Sequence, residues 1–196
     1  MVMDGHASFD LSGKIPGLTL AGTDGAATVG QGSGVRMWVT GGSLDHADRR
    51  FTGGEAVLSG GFQLRMADRS TTIDHLDLDV ASGELRGRID GQAMPLGTLD
   101  TDRLHVTSAA GQHRVYFSVR GDLRLSEAAA ARLNTALNTG VFASGDVLME
   151  GDVALGVPLD RRLASDLGIG YEAATDASIQ ADIQRGAPTD LGLGLI

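Results

Sequence analysis

Alternation of apolar and polar residues is the strongest pattern in this sequence. The segment GVRMWVT (34–40) has apolar side chains at 35, 37 and 39, separated by polar or aromatic ones. GFQLRM (61–66) and HRVYFSVR (113–120) show the same two-residue period. Because successive side chains leave a β-strand on opposite faces, such segments are predicted to be strands with one buried face. Further strands are predicted at 7–11, 17–21, 54–59, 71–80, 84–90, 104–107, 147–155 and 177–183, and the predicted core side chains include Phe62, Leu64, Val115 and Phe117.

The segment SEAAAARLNTALNTG predicts one α-helix, at about 126–138. Ser126 is a suitable N-cap, and Glu127 falls in the first turn, where the helix dipole favours a negative charge. Leu133 and Leu137 are four residues apart and share one helix face. Because this helix stands among many short strands, the predicted fold is mainly β: an antiparallel β-sandwich with one short α-helix.

Composition narrows the class of protein. The length of 196 residues and the hydrophobic fraction of 42% suit a folded chain, with a single domain over 1–187 and a C-terminal tail over 188–196. The net charge is −9 and no basic run occurs, so nucleic acid is not an expected partner. No stretch approaches the roughly 20 apolar residues that a transmembrane helix needs. The sequence has no cysteine, which excludes disulfides and thiol chemistry.

The motif content favours a non-enzymatic role. The sequence has no GxxxxGK[ST] phosphate loop, no HExxH zinc motif and no EF-hand loop. GQGSG (30–34) lacks the GxSxG spacing of a nucleophile elbow, so Ser33 is interpreted as a loop residue. A hydrolase that uses scattered Asp and His side chains ranks third among the functional hypotheses.

Histidine and aspartate side chains provide metal candidates. His75, Asp77 and Asp79 fall on one face of a predicted strand, where alternate residues can share an ion; the alternative is a solvated face opposite a buried one. His113 could meet His105 across a hairpin. However, His113 is in phase with apolar residues, so it is predicted to be a half-buried core histidine. His75, Asp77 and His113 are kept as metal candidates, and no metal is assigned to them.

Trp38 and Tyr116 are the most informative side chains for function. Each lies on the polar side of a predicted strand, and each follows an arginine by two residues, Arg36 and Arg114 respectively. An aromatic side chain in that position binds a flat ligand, forms a protein interface, or is covered by the helix or a second layer. These four residues are the candidate ligand-binding or interface set. A protein partner or a second copy of the chain is expected, with a small apolar ligand as the alternative.

The order of features along the chain resembles a known domain family. An early Ser8-Phe9 pair and a Gly-rich stretch precede FTGGEAVLSGGFQLRM (51–66) and IDHLDLDVASGELRGRID (73–90). LRLSEAAAARLNTALNTGVFASGDVLMEGDVAL (123–155) follows. In these features the sequence resembles the Htaa-type domain of actinobacterial cell-surface haem-uptake proteins, from Ser8 to about Leu155.

The resemblance implies a β-sandwich that binds haem as cofactor, through a tyrosine that a histidine supports. The family's axial tyrosine follows shortly after the Ser-Phe pair, where this sequence has Leu-Ser at 11–12. The family ligands therefore do not carry over, and Tyr116 and Tyr171 are the tyrosines that remain.

Together these observations predict a non-enzymatic binding or interaction module of the bacterial cell envelope. A carrier of haem, or of another apolar small molecule, is the alternative. The start MVMDGHASFD has no basic stretch before an apolar core, so we expect that this chain does not contain an export signal. The predicted location is extracellular or in the cell envelope, and the cytoplasm is the alternative.

Overall fold

Long antiparallel strands dominate the computed structural model, which describes residues 4–47, 50–100, 103–108, 113–167, 170–172 and 179–184. The predicted tail, 188–196, lies outside the described residues. The strands are β1 (Asp4–Leu11), β2 (Leu18–Thr23), β3 (Ala27–Val29), β4 (Gly34–Ala47), β5 (Arg50–Leu58), β6 (Gly61–Met66), β7 (Arg69–Asp79), β8 (Glu84–Ile89), β9 (Gln92–Asp100), β10 (Arg103–Ser108), β11 (Arg114–Leu125), β12 (Val147–Pro158) and β13 (Ile179–Gln184). The helices are α1 (Glu127–Ala136) and α2 (Arg161–Leu167).

Eight of these strands close into an antiparallel barrel, in the order β12-β1-β4-β5-β7-β8-β9-β11. The ring is completed by β11, which pairs with β12 so that Phe117 lies opposite Leu155. β12 in turn pairs with β1, where Val153 lies opposite Ala7. The predicted β-sandwich is therefore wrong. A strand with one buried face alternates in the same way in a sandwich and in a barrel, so the sequence pattern did not separate the two.

The remaining strands extend the barrel at its ends. β6 pairs with β7 and with β2, and β3 pairs with β4. β10 continues the line of β9 along β11: β9 lies opposite 122–125, and β10 lies opposite 115–119. β13 pairs with the other side of β10.

Apolar side chains fill the barrel interior. The four side chains that alternation places in the core, Phe62, Leu64, Val115 and Phe117, are all buried, which confirms the predicted strand phase. The predicted helix is also confirmed as α1. Its N-cap Ser126 accepts a hydrogen bond from the Ala129 backbone N–H at 3.0 Å, and Ala129, Ala130 and Leu133 are buried where α1 packs on β7, β8 and β9.

Candidate functional site

Trp38 is a residue of β4 and points outward from the barrel. The outer face that it belongs to is formed by four neighbouring strands, β4, β1, β12 and β11. Strand pairing places Trp38 opposite His6, His6 opposite Ala154, and Ala154 opposite Ser118. Val35 and Met37 of the same strand are fully buried, whereas Trp38 is 64% exposed. Trp38 is therefore neither a core residue nor covered by a second layer of the described chain.

Tyr116 and Trp38 line the same hollow, which the sequence could not show. The hollow has a volume of about 270 Å³, and its walls are formed by Asp4, Gly5, His6, Trp38, Val39 and Tyr116. It thus combines two aromatic rings with an imidazole and a carboxylate. Such a surface suits recognition, because aromatic rings offer large contact areas and the polar groups orient what binds.

Tyr116 is held in place by its neighbours. Its strand partner is Gly156, and a Cβ atom at that position would lie 2.8 Å from the Cε1 atom of Tyr116, so the ring occupies space that a side chain would take. The Arg114 guanidinium donates to the Asp4 carboxylate and, at 3.3 Å, to the Gly156 carbonyl. Arg114 therefore organises the wall of the hollow rather than pointing an unused charge into it.

Arg36 differs from Arg114 in this respect. It is exposed on β4, two residues before Trp38, and lies opposite Ser8 of β1. It forms no ion pair with any residue that the structure describes.

A second hollow continues the same face toward the other end of the strands. It has a volume of about 440 Å³ and is lined by Ser8, Asp10, Arg120, Gly121, Asp122, Glu150, Gly151 and Asp152. Asp152 accepts hydrogen bonds from the Ser118 hydroxyl at 2.6 Å and from the Arg120 Nε at 2.8 Å. None of these residues is among the site residues predicted from the sequence. Most are polar members of strands predicted from alternation, but Gly121 and Asp122 lie beyond the predicted strand end at 120.

The metal candidates on β7 do not assemble into a site. His75 has a φ of 51° at an irregularity in the β7–β8 pairing, and its Nδ1 lies 2.9 Å from the Asp74 carboxylate. The Asp79 carboxylate accepts the Ser82 backbone N–H at 2.8 Å, and this hydrogen bond lowers the pKa of Asp79 below its ordinary value. Within the described ranges, no three His, Cys, Asp or Glu side chains, Asp77 included, are grouped so that they could hold a metal ion.

His113 is exposed, so the prediction of a half-buried core histidine is wrong. Its Nδ1 lies 3.2 Å from the Tyr171 hydroxyl, and the two rings stack with their centroids 6.1 Å apart. Arg161 lies over the Tyr171 ring, with its guanidinium carbon 4.9 Å from the ring centroid. His105 lies opposite Ser118 in the sheet, so the predicted cross-strand pair of His105 and His113 does not form.

Comparisons with known proteins bear on the fold. No family model matches the sequence, and no curated protein matches it. A solved structure that resembles the chain is the C-terminal domain of HtaA from Corynebacterium glutamicum, with a TM-score of 0.52 and 15% identity. The match covers 80% of this chain and 99% of that domain. The chain is therefore similar in fold to that domain. Neither helix in the described part of the chain has the length and hydrophobicity that a bilayer crossing demands.

Proposed function

We propose that this chain is a non-enzymatic binding module of the bacterial cell envelope that holds a protein partner at the hollow beside Trp38. The observation that carries the proposal is the 64% exposure of Trp38 on a face where Tyr116 and His6 line the same hollow. Small-molecule sites generally enclose roughly 300–1,000 Å³ and surround most of the ligand. A shallow hollow of about 270 Å³ beside a protruding tryptophan instead suits the side chains of another protein.

Two further observations support this proposal. The fold likeness to the HtaA domain agrees with the resemblance that the sequence motifs carry. That resemblance is to cell-surface modules, and it is the ground for proposing the envelope location. Tyr116 and Asp4 are held by Gly156 and Arg114, so the hollow is organised before a partner arrives. Less side-chain entropy is then lost on binding.

Substituting Trp38 tests the proposal. We expect Trp38→Ala to change the free energy of unfolding by no more than about 0.5 kcal/mol, because the indole is mostly in water. A photo-crosslinking amino acid at Thr40, which is exposed on the same strand, should give ultraviolet-dependent adducts in the source bacterium. Trp38→Ala should abolish these adducts. The matched control is the same amino acid at Thr98, which is exposed on β9. Equal adducts from both positions, or adducts unaffected by Trp38→Ala, would reject this binding face.

Haem binding is a second candidate function, and the contact between Tyr171 and His113 favours it. The resemblance implies a tyrosine ligand with a supporting histidine, and the 3.2 Å distance from the Tyr171 hydroxyl to the His113 Nδ1 fits that donor set. Tyr171 would supply the phenolate to the iron, and His113 would orient it. Tyr116 is the alternative, because it shares its hollow with His6.

A haemin titration followed by visible absorbance separates these possibilities. If the Tyr171–His113 pair binds haem, wild-type protein and Tyr116→Phe should both shift the Soret band and saturate near one haemin per chain. Tyr171→Phe should not, and His113→Ala should saturate at higher haemin concentration. If Tyr116→Phe lost the Soret shift and Tyr171→Phe kept it, Tyr116 would be the haem ligand instead. A wild-type protein without a Soret shift would reject haem and leave the Trp38 proposal standing.

A further inference from the structure

The two hollows lie on the same outer face of the barrel. β1 passes through both: Asp4 and His6 line the first hollow, and Ser8 and Asp10 line the second. Six residues of a strand span about 20 Å, which is the length of an extended peptide of about six residues. We call this surface the outer groove; it comprises the lining residues of the two hollows together with Arg36, Ser118, Ala154 and Gly156, which lie beside them on the same strands.

Small residues lie between the aromatic side chains of the outer groove. They are Ser8, Ala154, Gly156 and Ser118, on β1, β12 and β11, and His6 and Asp152 share this face with them. Trp38 and Arg36 of β4 stand on one side, and Tyr116 and Arg120 of β11 stand on the other. A segment that contacts both hollows has to run along the strands, as an extended chain does.

The two ends of the outer groove differ in charge. At the Trp38 end, the Asp4 carboxylate is paired with Arg114, and at mid-groove Asp152 is paired with Arg120. At the far end, Asp10 lies directly opposite Glu150 across the β1–β12 pairing. Neither Asp10 nor Glu150 has a cationic partner among the residues that the structure describes.

The acidic end therefore carries like charges in adjacent strand positions. Asp122 lies on the other side of Glu150, 3.9 Å from the Arg124 guanidinium. Like charges directly opposite each other in a sheet destabilise it. An incoming cation at Asp10 and Glu150 would relieve this repulsion, and the chain's net charge of −9 would attract it.

We propose that the outer groove binds an extended cationic segment of a partner protein. An aromatic or long aliphatic side chain of that segment packs between Trp38 and Tyr116. A Lys or Arg about five residues away pairs with Asp10 and Glu150, since this spacing matches the length of the groove. The inference rests on the proposed function, because it names the partner chemistry for the same face.

Purified protein and short peptides test the inference. The probe is a fluorescein-labelled peptide with the sequence Phe-Gly-Ser-Gly-Ser-Lys-Lys, and the readout is fluorescence anisotropy. We expect binding that weakens about tenfold or more between 50 and 200 mM NaCl, as screening reduces the attraction. A peptide with Glu in place of both Lys, and one with both Lys next to Phe, should bind at least about tenfold more weakly.

Variants at each end locate the peptide. The double variant Asp10→Asn with Glu150→Gln should weaken binding about tenfold and reduce its salt dependence. Trp38→Ala should weaken binding about tenfold and leave the salt dependence unchanged. The matched control is Asp68→Asn, an exposed carboxylate at the β6–β7 turn, which should bind as wild type does. Circular dichroism of every variant establishes that the fold is retained.

Three results would overturn the inference. The first is no change in anisotropy at millimolar protein, and the second is equal affinity for the Lys and Glu peptides. The third is an equal loss of peptide affinity in Asp68→Asn and in the double variant Asp10→Asn with Glu150→Gln. Sedimentation that shows a dimer dependent on Trp38 would also overturn it, by assigning the groove to a second copy of the chain. If the peptide fails but the Thr40 adducts form, the binding face stands and only its cationic partner is rejected.

Discussion

Phe117→Ala is expected to lower the free energy of unfolding by about 3–5 kcal/mol, the usual cost of emptying a buried phenylalanine site. Phe117 is 0% exposed. It lies in β11 between Val106 of β10 and Leu155 of β12, at the seam where the barrel closes. Loss of the ring removes apolar burial and leaves a cavity that neighbouring strands, fixed by their hydrogen bonds, fill only in part.

Urea denaturation followed by circular dichroism measures this effect. The matched control is Val57→Ala, because Val57 is an apolar strand residue whose side chain is 40% exposed. We expect the control to lose less than about 0.5 kcal/mol. A loss below about 1 kcal/mol for Phe117→Ala would contradict the buried position of this ring.

Gly97→Ala is expected to destabilise the fold by about 2–3 kcal/mol, through overpacking rather than a cavity. Gly97 of β9 lies opposite Leu125 of β11. A Cβ atom at position 97 would lie 2.1 Å from the Arg124 carbonyl oxygen. That oxygen belongs to the backbone, so relief requires β9 and β11 to separate where they pair.

The matched control for Gly97→Ala is Gly41→Ala. Gly41 is also a strand glycine, but a Cβ atom there would meet nothing within 4 Å. We expect the control to stay within about 0.5 kcal/mol of wild type, measured by the same urea titration. If the two alanine variants were equally stable, close approach of β9 and β11 at position 97 would be excluded.

Strand phase could be predicted from the sequence because it depends on each strand alone. Phe62 and Phe117 are buried and Trp38 is exposed, as alternation predicts. The helix was predictable for a similar reason, since its N-cap and its apolar face are local features. Barrel closure depends on the pairing of β1 with β12, which are far apart in the sequence, so periodicity contains no information about it.

The candidate site likewise has one part that could be predicted from single strands and one part that depends on strand pairing. The outward direction of Trp38 and Tyr116 follows from alternation, but their meeting with His6 depends on which strands are neighbours. A break in the two-residue period of β7 also changes which of its residues face outward. Ile73 and Leu76 are both buried because an irregularity at 74–77 shifts the phase of β7, so His75 does not share a regular face with Asp77. His113 lies just before β11, where the alternation of the strand no longer applies.

The position of β1 between β4 and β12 also affects when the barrel can close during synthesis. β4 is close to β1 in the sequence and can pair with it early. The other neighbour, β12, spans Val147–Pro158. Until these residues have left the ribosome, the second edge of β1 has no partner strand. Pairing between such distant segments is slow, because a long loop must close first. A nascent chain therefore keeps one edge of β1 unpaired until β12 has emerged, and the barrel closes only after that point.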